Sequence, residues 1–158
     1  MDALISSGSF KCVEDANGKH IQCVTDGYFS FEQPHAYGTW TFDWYMKDLG
    51  YLSLVSDRRA SLPYNGYTIK IEGTNIRLQR YLTGLLFTRI DVSDVVNINQ
   101  WNSIKLTRTA NSDFKLYTNG NLVGSVTDNE VFTSAFAVFD MDAGDKVKSF
   151  KHFQGVEA

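Results

Sequence analysis

The sequence predicts an all-β domain, an antiparallel β-sandwich of two sheets, and three observations carry that expectation. Valine, isoleucine and threonine supply 32 of the 158 residues and phenylalanine, tyrosine and tryptophan another 22, against nine alanines. β-Branched and aromatic side chains fit a pleated, half-buried surface, whereas helices favour alanine, leucine, glutamate and lysine. Only two prolines occur, Pro34 and Pro63, so long stretches can donate every ladder hydrogen bond. Turn signals then recur between short alternating runs, the spacing of a sandwich or barrel. The length suits a single domain over residues 1–158 with its core at about 7–153, large enough to bury a full core without staples.

Three turns set register. Asn17-Gly18 suits a type I′ hairpin, in which both central residues take positive φ. With those two central, Ala16 faces Lys19, Glu14 faces Ile21 and Cys12 faces Cys23. Gly73-Thr74 reads as a type II′ turn, pairing Ile71 with Ile76 and Ile69 with Leu78 on one face. Asn119-Gly120 pairs Tyr117 with Leu122 and Leu116 with Val123. Alternation alone marks further strands. Over residues 39–46, Trp40, Phe42, Trp44 and Met46 point one way, a stripe fit for the centre of the core. Over residues 101–107, Asn102, Ile104 and Leu106 oppose Trp101, Ser103, Lys105 and Thr107. Phe136–Met141 is nearly continuous apolar, as in a strand covered on both faces, and residues 150–153 form a last strand. Residues 90–98 (IDVSDVVNI) read as a loop with at most one helical turn. No linker, low-complexity tract or internal repeat is visible.

The order of segments GSFKCVEDANGKHIQCV, AYGTWTFDWYMKD, NGYTIKIEG, NIRLQRY, WNSIKLTRT, DFKLYTNGNLVGSVTDN and AFAVFDMDAGDKVKSF resembles the concanavalin A-like, or laminin G-like, jelly-roll domains. A strand opened by tryptophan, then a strand, an Asn-Gly turn and a return strand carries most of that likeness. The YGTW opening and the FDMDAGDKV ending also resemble small jelly-roll domains of tailed-phage and other viral structural proteins. This second resemblance implies a virion surface component, a decoration, fibre or appendage domain, whose partners are copies of itself or other structural subunits.

Charge and hydropathy exclude some roles. The net charge of -3 argues against a nucleic-acid partner, which calls for a basic stripe. No run of 18 apolar residues is present, so a membrane-spanning helix is not expected. The opening MDALISSGSF has neither the basic nor the apolar region of a secretory signal, which places the chain, if not in a virion, in the cytoplasm.

Catalysis is not expected. Glycoside hydrolysis needs two carboxylates flanking one bond, and the Glu-x-Asp-x-x-Glu strand of the related glucanases is missing. Asp140, Asp142 and Asp145 form the nearest analogue and also the weak candidates for calcium, which wants six to eight oxygens; Asp57, Asp91 and Asp94 could add ligands if the fold gathers them. No other cofactor is expected. Cys12 and Cys23, although opposite in the register above, are expected as free, half-buried thiols, with a cross-strand disulfide as the alternative. His20, His35 and His152 are scattered, with His35 in a surface turn. The candidate binding surface is aromatic and basic: Arg58, Arg59, Tyr64, Tyr67, Arg80 and Tyr81, with Arg89 close in sequence. Such groups stack on sugars and hold hydroxyls, or line a subunit interface. Tyr67 falls opposite Arg80, on the side of Ile69 and Leu78, which predicts partial burial for that pair. The expected function is therefore a non-enzymatic structural or interaction domain on a virion, with a lectin-like carbohydrate-binding module as the alternative.

Overall fold

The computed structural model describes residues 4–16 and 18–155. Its elements are twelve strands: β1 (Leu4–Asp15), β2 (Gly18–Glu32), β3 (Gly38–Tyr45), β4 (Leu49–Ser56), β5 (Gly66–Glu72), β6 (Asn75–Leu82), β7 (Leu85–Val92), β8 (Trp101–Arg108), β9 (Asp113–Thr118), β10 (Asn121–Thr127), β11 (Phe136–Met141) and β12 (Lys146–Phe153). All pairings are antiparallel, and no helix occurs among the described residues.

The expected two layers are present and joined. One runs β12-β3-β8-β9-β10 and the other β11-β4-β5-β6-β7. Strand β2 sits at their junction. Lys146 and Val147 of β12 face Gln22 and Ile21, while β11 runs beside Gly27 to Glu32. β11 and β12 thus follow one edge of β2 in a single register, interrupted by residues 142–145. β1 lines the other edge of β2. At the far side of the sandwich the outer strands β7 and β10 approach: Arg89 Nη2 donates to the Thr127 carbonyl at 3.3 Å, and a Cβ at Gly124 would lie 2.5 Å from Ile90 Cγ2. The result is a nearly closed sandwich.

The Trp40, Phe42, Trp44 and Met46 stripe lies in the core as expected. From the other layer Phe139, Leu52, Leu54, Ile69 and Ile71 join the same core, with Phe29 from the junction strand β2. Each such burial contributes roughly 1.5–3 kcal/mol relative to exposure. Phe150 packs edge-on against Phe31 and Phe139, 5.1 and 5.7 Å between centroids.

The Gly73-Thr74 turn pairs Ile71 with Ile76 and Ile69 with Leu78 as read, with Gly73 at φ 60°. Two registers differ. β1 and β2 pair Asp15 with Gly18, so Cys12 faces Ile21 and Phe10 faces Cys23. The physical reason is Gly18, at φ 89°, with Ala16 outside the positive-φ region. The glycine closes the turn as a bulge residue instead of occupying its centre; Asn17 lies outside the described residues. At Asn119-Gly120 both residues do take positive φ and Tyr117 faces Leu122, but a bulge at Val123 sets Leu116 against Gly124. Residues 90–92 belong to β7, and the remaining stretch to Ile98 is a loop. The last strand starts at Lys146 rather than at residue 150.

The registers bring the connections at residues 33–37, 57–65, 83–84, 109–112 and 128–135 to one end of the sandwich. Residues 46–48, 73–74, 93–100, 119–120 and 142–145 lie at the other.

Candidate functional site

The six aromatic and basic residues singled out from sequence all lie toward the first of these ends, but they do not form one surface. Tyr67 is 1% exposed and Tyr81 7%. Tyr67 faces Arg80 as read from the hairpin, and both bond Asp128. The Asp128 carboxylate accepts the Tyr67 hydroxyl at 2.7 Å and Arg80 Nη1 at 2.6 Å, and forms an ion pair with Arg89, whose Nε lies 2.9 Å away. Arg108, 1% exposed, donates to the Asp128, Ala36 and Ser112 oxygens and lies over the Tyr37, Tyr67 and Phe114 rings. Burial pushes the Asp128 carboxyl up, but the Tyr67 hydroxyl, the Glu130 N–H and Arg80 outweigh it and hold it below the usual range. Burial and the bond to Asp128 raise the Tyr67 phenol, burial and Tyr51 raise Tyr81, and burial lowers Arg108. This polar cluster ties β5, β6 and β7 to the loops after β8 and β10. It is a clamp, not a contact surface.

Arg58 and Tyr64 are exposed on the β4–β5 loop, the guanidinium carbon 6.0 Å from the ring centroid. Asp57 caps this loop by accepting the Tyr64 and Asn65 N–H groups, each at 3.1 Å. Asn65 Oδ1 accepts from Thr83 N at 2.9 Å, fastening the loop to the β6–β7 turn.

Arg59 belongs to a different place. It lines a cleft of about 520 Å³ at the loop end with Phe31, Glu32, Gln33, Pro34, His35, Phe150 and His152. The cleft forms where the end of β2, the β4–β5 loop and β12 meet. Gln33 is buried and shapes one wall: its side-chain amide donates to the Leu54 and His35 carbonyls, and its oxygen accepts from His35 N at 2.7 Å. Arg59 lies over Phe136, 4.4 Å from the centroid, and Nη1 donates to Ser30 Oγ at 3.0 Å. Its Nε and Nη2 have no bonded partner among the described residues. Glu32 is exposed and likewise unpartnered.

Two histidines far apart in sequence meet here. The His35 and His152 rings are parallel, 4.4 Å between centroids and 3° between planes. His152 Nε2 donates to the Tyr37 carbonyl at 2.7 Å, and His35 Nδ1 accepts from Gln154 Nε2 at 2.9 Å. Burial lowers the His152 pKa, and neighbouring His35 adds to that against the Tyr37 bond. The pair thus forms a flat aromatic plate. Reading His35 as an isolated turn residue missed it, because only the tertiary fold brings β12 beside residues 33–37.

The acidic residues are engaged elsewhere. Asp145 is 0% exposed, its two oxygens accepting Lys47 N at 2.9 Å and Asp142 N at 3.0 Å. Burial raises its pKa to about 6, against the lowering effect of those two bonds. Asp140 accepts the Ser61 hydroxyl, and burial raises both Asp140 and Asp142. Asp91 pairs with Arg77, Asp94 with Thr74, and Asp57 with its own loop. No three His, Cys, Asp or Glu side chains among the described residues are grouped to hold a metal. Cys12 is exposed and Cys23 buried; both are free thiols, and the Cys23 thiol donates to the Thr25 carbonyl at 3.1 Å.

No protein-family model matches the chain, and no curated protein matches its sequence. The fold is similar to that of the carbohydrate binding module CBM66 from Bacillus subtilis, with a TM-score of 0.72 at 18% identity over 94% of this chain and 92% of that one. It is also similar to the botulinum neurotoxin type G receptor binding domain, with a TM-score of 0.67 at 17% identity over 97% of this chain and 43% of that one. A third likeness is to botulinum neurotoxin type C, whose cell entry depends upon interaction with two ganglioside molecules (TM-score 0.66, 15% identity, 98% of this chain and 44% of that one). The chain spans less than half the length of both toxin structures. These likenesses show a jelly-roll-like β-sandwich.

Proposed function

We propose that the chain is a non-catalytic carbohydrate-binding domain whose ligand seats in the loop-end cleft. The observation that carries this is one juxtaposition: the cleft joins a flat plate of two stacked imidazoles to an Arg59 fork and a Glu32 carboxylate, both with unused hydrogen-bonding capacity. Sugars present apolar ring faces and pairs of vicinal hydroxyls, which match a flat aromatic wall and planar bidentate groups. Ligation needs no calcium on this reading, since the Asp145 oxygens serve the backbone at the opposite end of the sandwich. The folds of a carbohydrate binding module and of a toxin whose cell entry depends upon interaction with ganglioside molecules support the reading.

A glycan-array screen of the purified chain, with and without chelator, tests it. A specific, saturable hit that survives chelation and weakens about tenfold or more in Arg59→Ala and Glu32→Gln is expected. A blank array overturns the proposal.

A second reading, a subunit-assembly domain of a virion, draws on one feature. β7 is an outer strand whose Leu85, Leu86 and Phe87 are 62%, 50% and 44% exposed. Such an edge invites another chain. A closed oligomer by mass that Leu86→Lys dissociates would favour it; a monomer at all concentrations would exclude it.

A further inference from the structure

A second cavity, about 220 Å³, opens where β12 separates from β2. Four phenylalanines line it, Phe29, Phe31, Phe139 and Phe150, and it shares Phe31 and Phe150 with the cleft. Its origin is local. Pairing of β12 with β2 stops at Val147 and Ile21. The β12 register on β3 then slips between Lys148 and Lys151, with Ser149 at φ 58°. A non-glycine residue held there costs on the order of 1 kcal/mol or more, and such strain concentrates at ligand sites. The bulge turns Phe150 inward and leaves the hairpin arm of β2 apart from β12.

The lining carries two ammonium groups, Lys19 and Lys148, and no carboxylate; Asp15 stands close by, 3.9 Å from Nδ1 of the lining His20 ring. Lys148 rests over the Trp101 ring, 4.3 Å from its centroid. Lys19 is exposed, and although Glu14 faces it across the hairpin, no ion pair joins the two. We infer that this pocket binds a small apolar carboxylate, an aryl or branched-alkyl acid, with its apolar body among the phenylalanines and its carboxylate on Lys19. Size fits: cavities of about 150 Å³ already admit benzene, and the remaining volume takes a short tether. Charge selects: an acid gains a charge-assisted bond that a neutral analogue lacks. This site does not depend on the glycan reading of the cleft.

Calorimetric titration of the full chain with 3-phenylpropionate and with 3-phenylpropanamide tests the inference. One-site saturable binding of the acid is expected, with the amide about tenfold weaker and Lys19→Met reducing the acid to the level of the amide. Cys12 lines the same pocket and is exposed, whereas Cys23 is buried. The bound acid should therefore slow alkylation of Cys12 by iodoacetamide, and Lys19→Met should abolish that protection. Failure of the acid to saturate, equal affinity for acid and amide, or binding that leaves the Cys12 alkylation rate unchanged would each overturn it.

Discussion

The Tyr67 hydroxyl donates a 2.7 Å hydrogen bond to a carboxylate oxygen of Asp128, a residue that follows β10 and reaches across the closing edge of the sandwich. The other oxygen holds Arg80 and Arg89, and the Asp128 carbonyl holds Arg108. Removing one member of such a cluster leaves buried charge uncompensated, which costs about 3–5 kcal/mol. Asp128→Ala should therefore lower the unfolding free energy by that order in urea titration, with Arg89→Ala, whose side chain is about a third exposed, costing far less. Equal small losses would show that the cluster does not clamp the edge.

Asp145 makes stability depend on pH in the opposite sense to Asp128. Its folded pKa of about 6 lies above its ordinary value of 3.8. The neutral form is favoured by the fold, so its contribution is full below about pH 4 and is lost as pH rises through about 6, to an extent of up to about 3 kcal/mol. Asp128, held low, contributes above its ordinary range and loses that contribution as pH falls through its folded pKa. In Asp145→Asn, the decline of stability between pH 4 and 6 should flatten, whatever the uniform cost of the substitution. An unchanged slope would remove Asp145 as its source.

Thr83 takes φ 50° ahead of Gly84 at φ 79°, a two-residue turn with a β-branched side chain in the left-handed region. Asn65 holds it there. Thr83→Asn should raise stability by about 1 kcal/mol, since asparagine tolerates that conformation, and a thermal melt would register it as an increase in Tm.

Gly50 faces the Trp44 indole, and a Cβ there would lie 2.1 Å from Cζ2. Trp44 is 0% exposed and surrounded, so it cannot retreat. Gly50→Ala should cost about 1–3 kcal/mol or more. Gly120→Ala, with open space around its Cβ but φ 85°, should cost only the backbone strain. Similar losses in the two variants would contradict this packing.

Cys12 and Cys23 differ in reactivity. Burial, with Asp145 and Asp26 nearby, pushes the Cys23 thiol up to about 11. Ellman titration without reductant should count one thiol in the native chain and two after denaturation. A count of none in both states would mean a disulfide and a hairpin register unlike the one described.

Much of the fold is legible in the sequence because its signals are local. The Trp40 to Met46 alternation and the Gly73-Thr74 turn each specify one strand face, and both hold in the structure. The β1–β2 register was misread because Gly18 can serve either inside a turn or just after it, and composition alone does not separate the two. β7 escaped notice because Leu85, Leu86 and Phe87 do not alternate and the turn before it uses threonine at positive φ. The Tyr67–Arg80 pairing and its burial followed from hairpin arithmetic, but the acid partner Asp128 comes from a distant loop and no local signal points to it. The cleft was invisible for the same reason. Arg59 was singled out, whereas Glu32, His35 and His152 acquire meaning only when β12 is laid beside the end of β2.

The most direct test of the account is a two-dimensional amide NMR titration of the chain with whichever glycan it retains in the array screen. Shift changes confined to Glu32 to His35, Arg59 and Phe150 to His152 are expected, and Arg59→Ala should move their midpoint to about tenfold higher glycan concentration or beyond. Changes centred on β7 or on residues 140–145, with the cleft silent, would contradict the placement of the site.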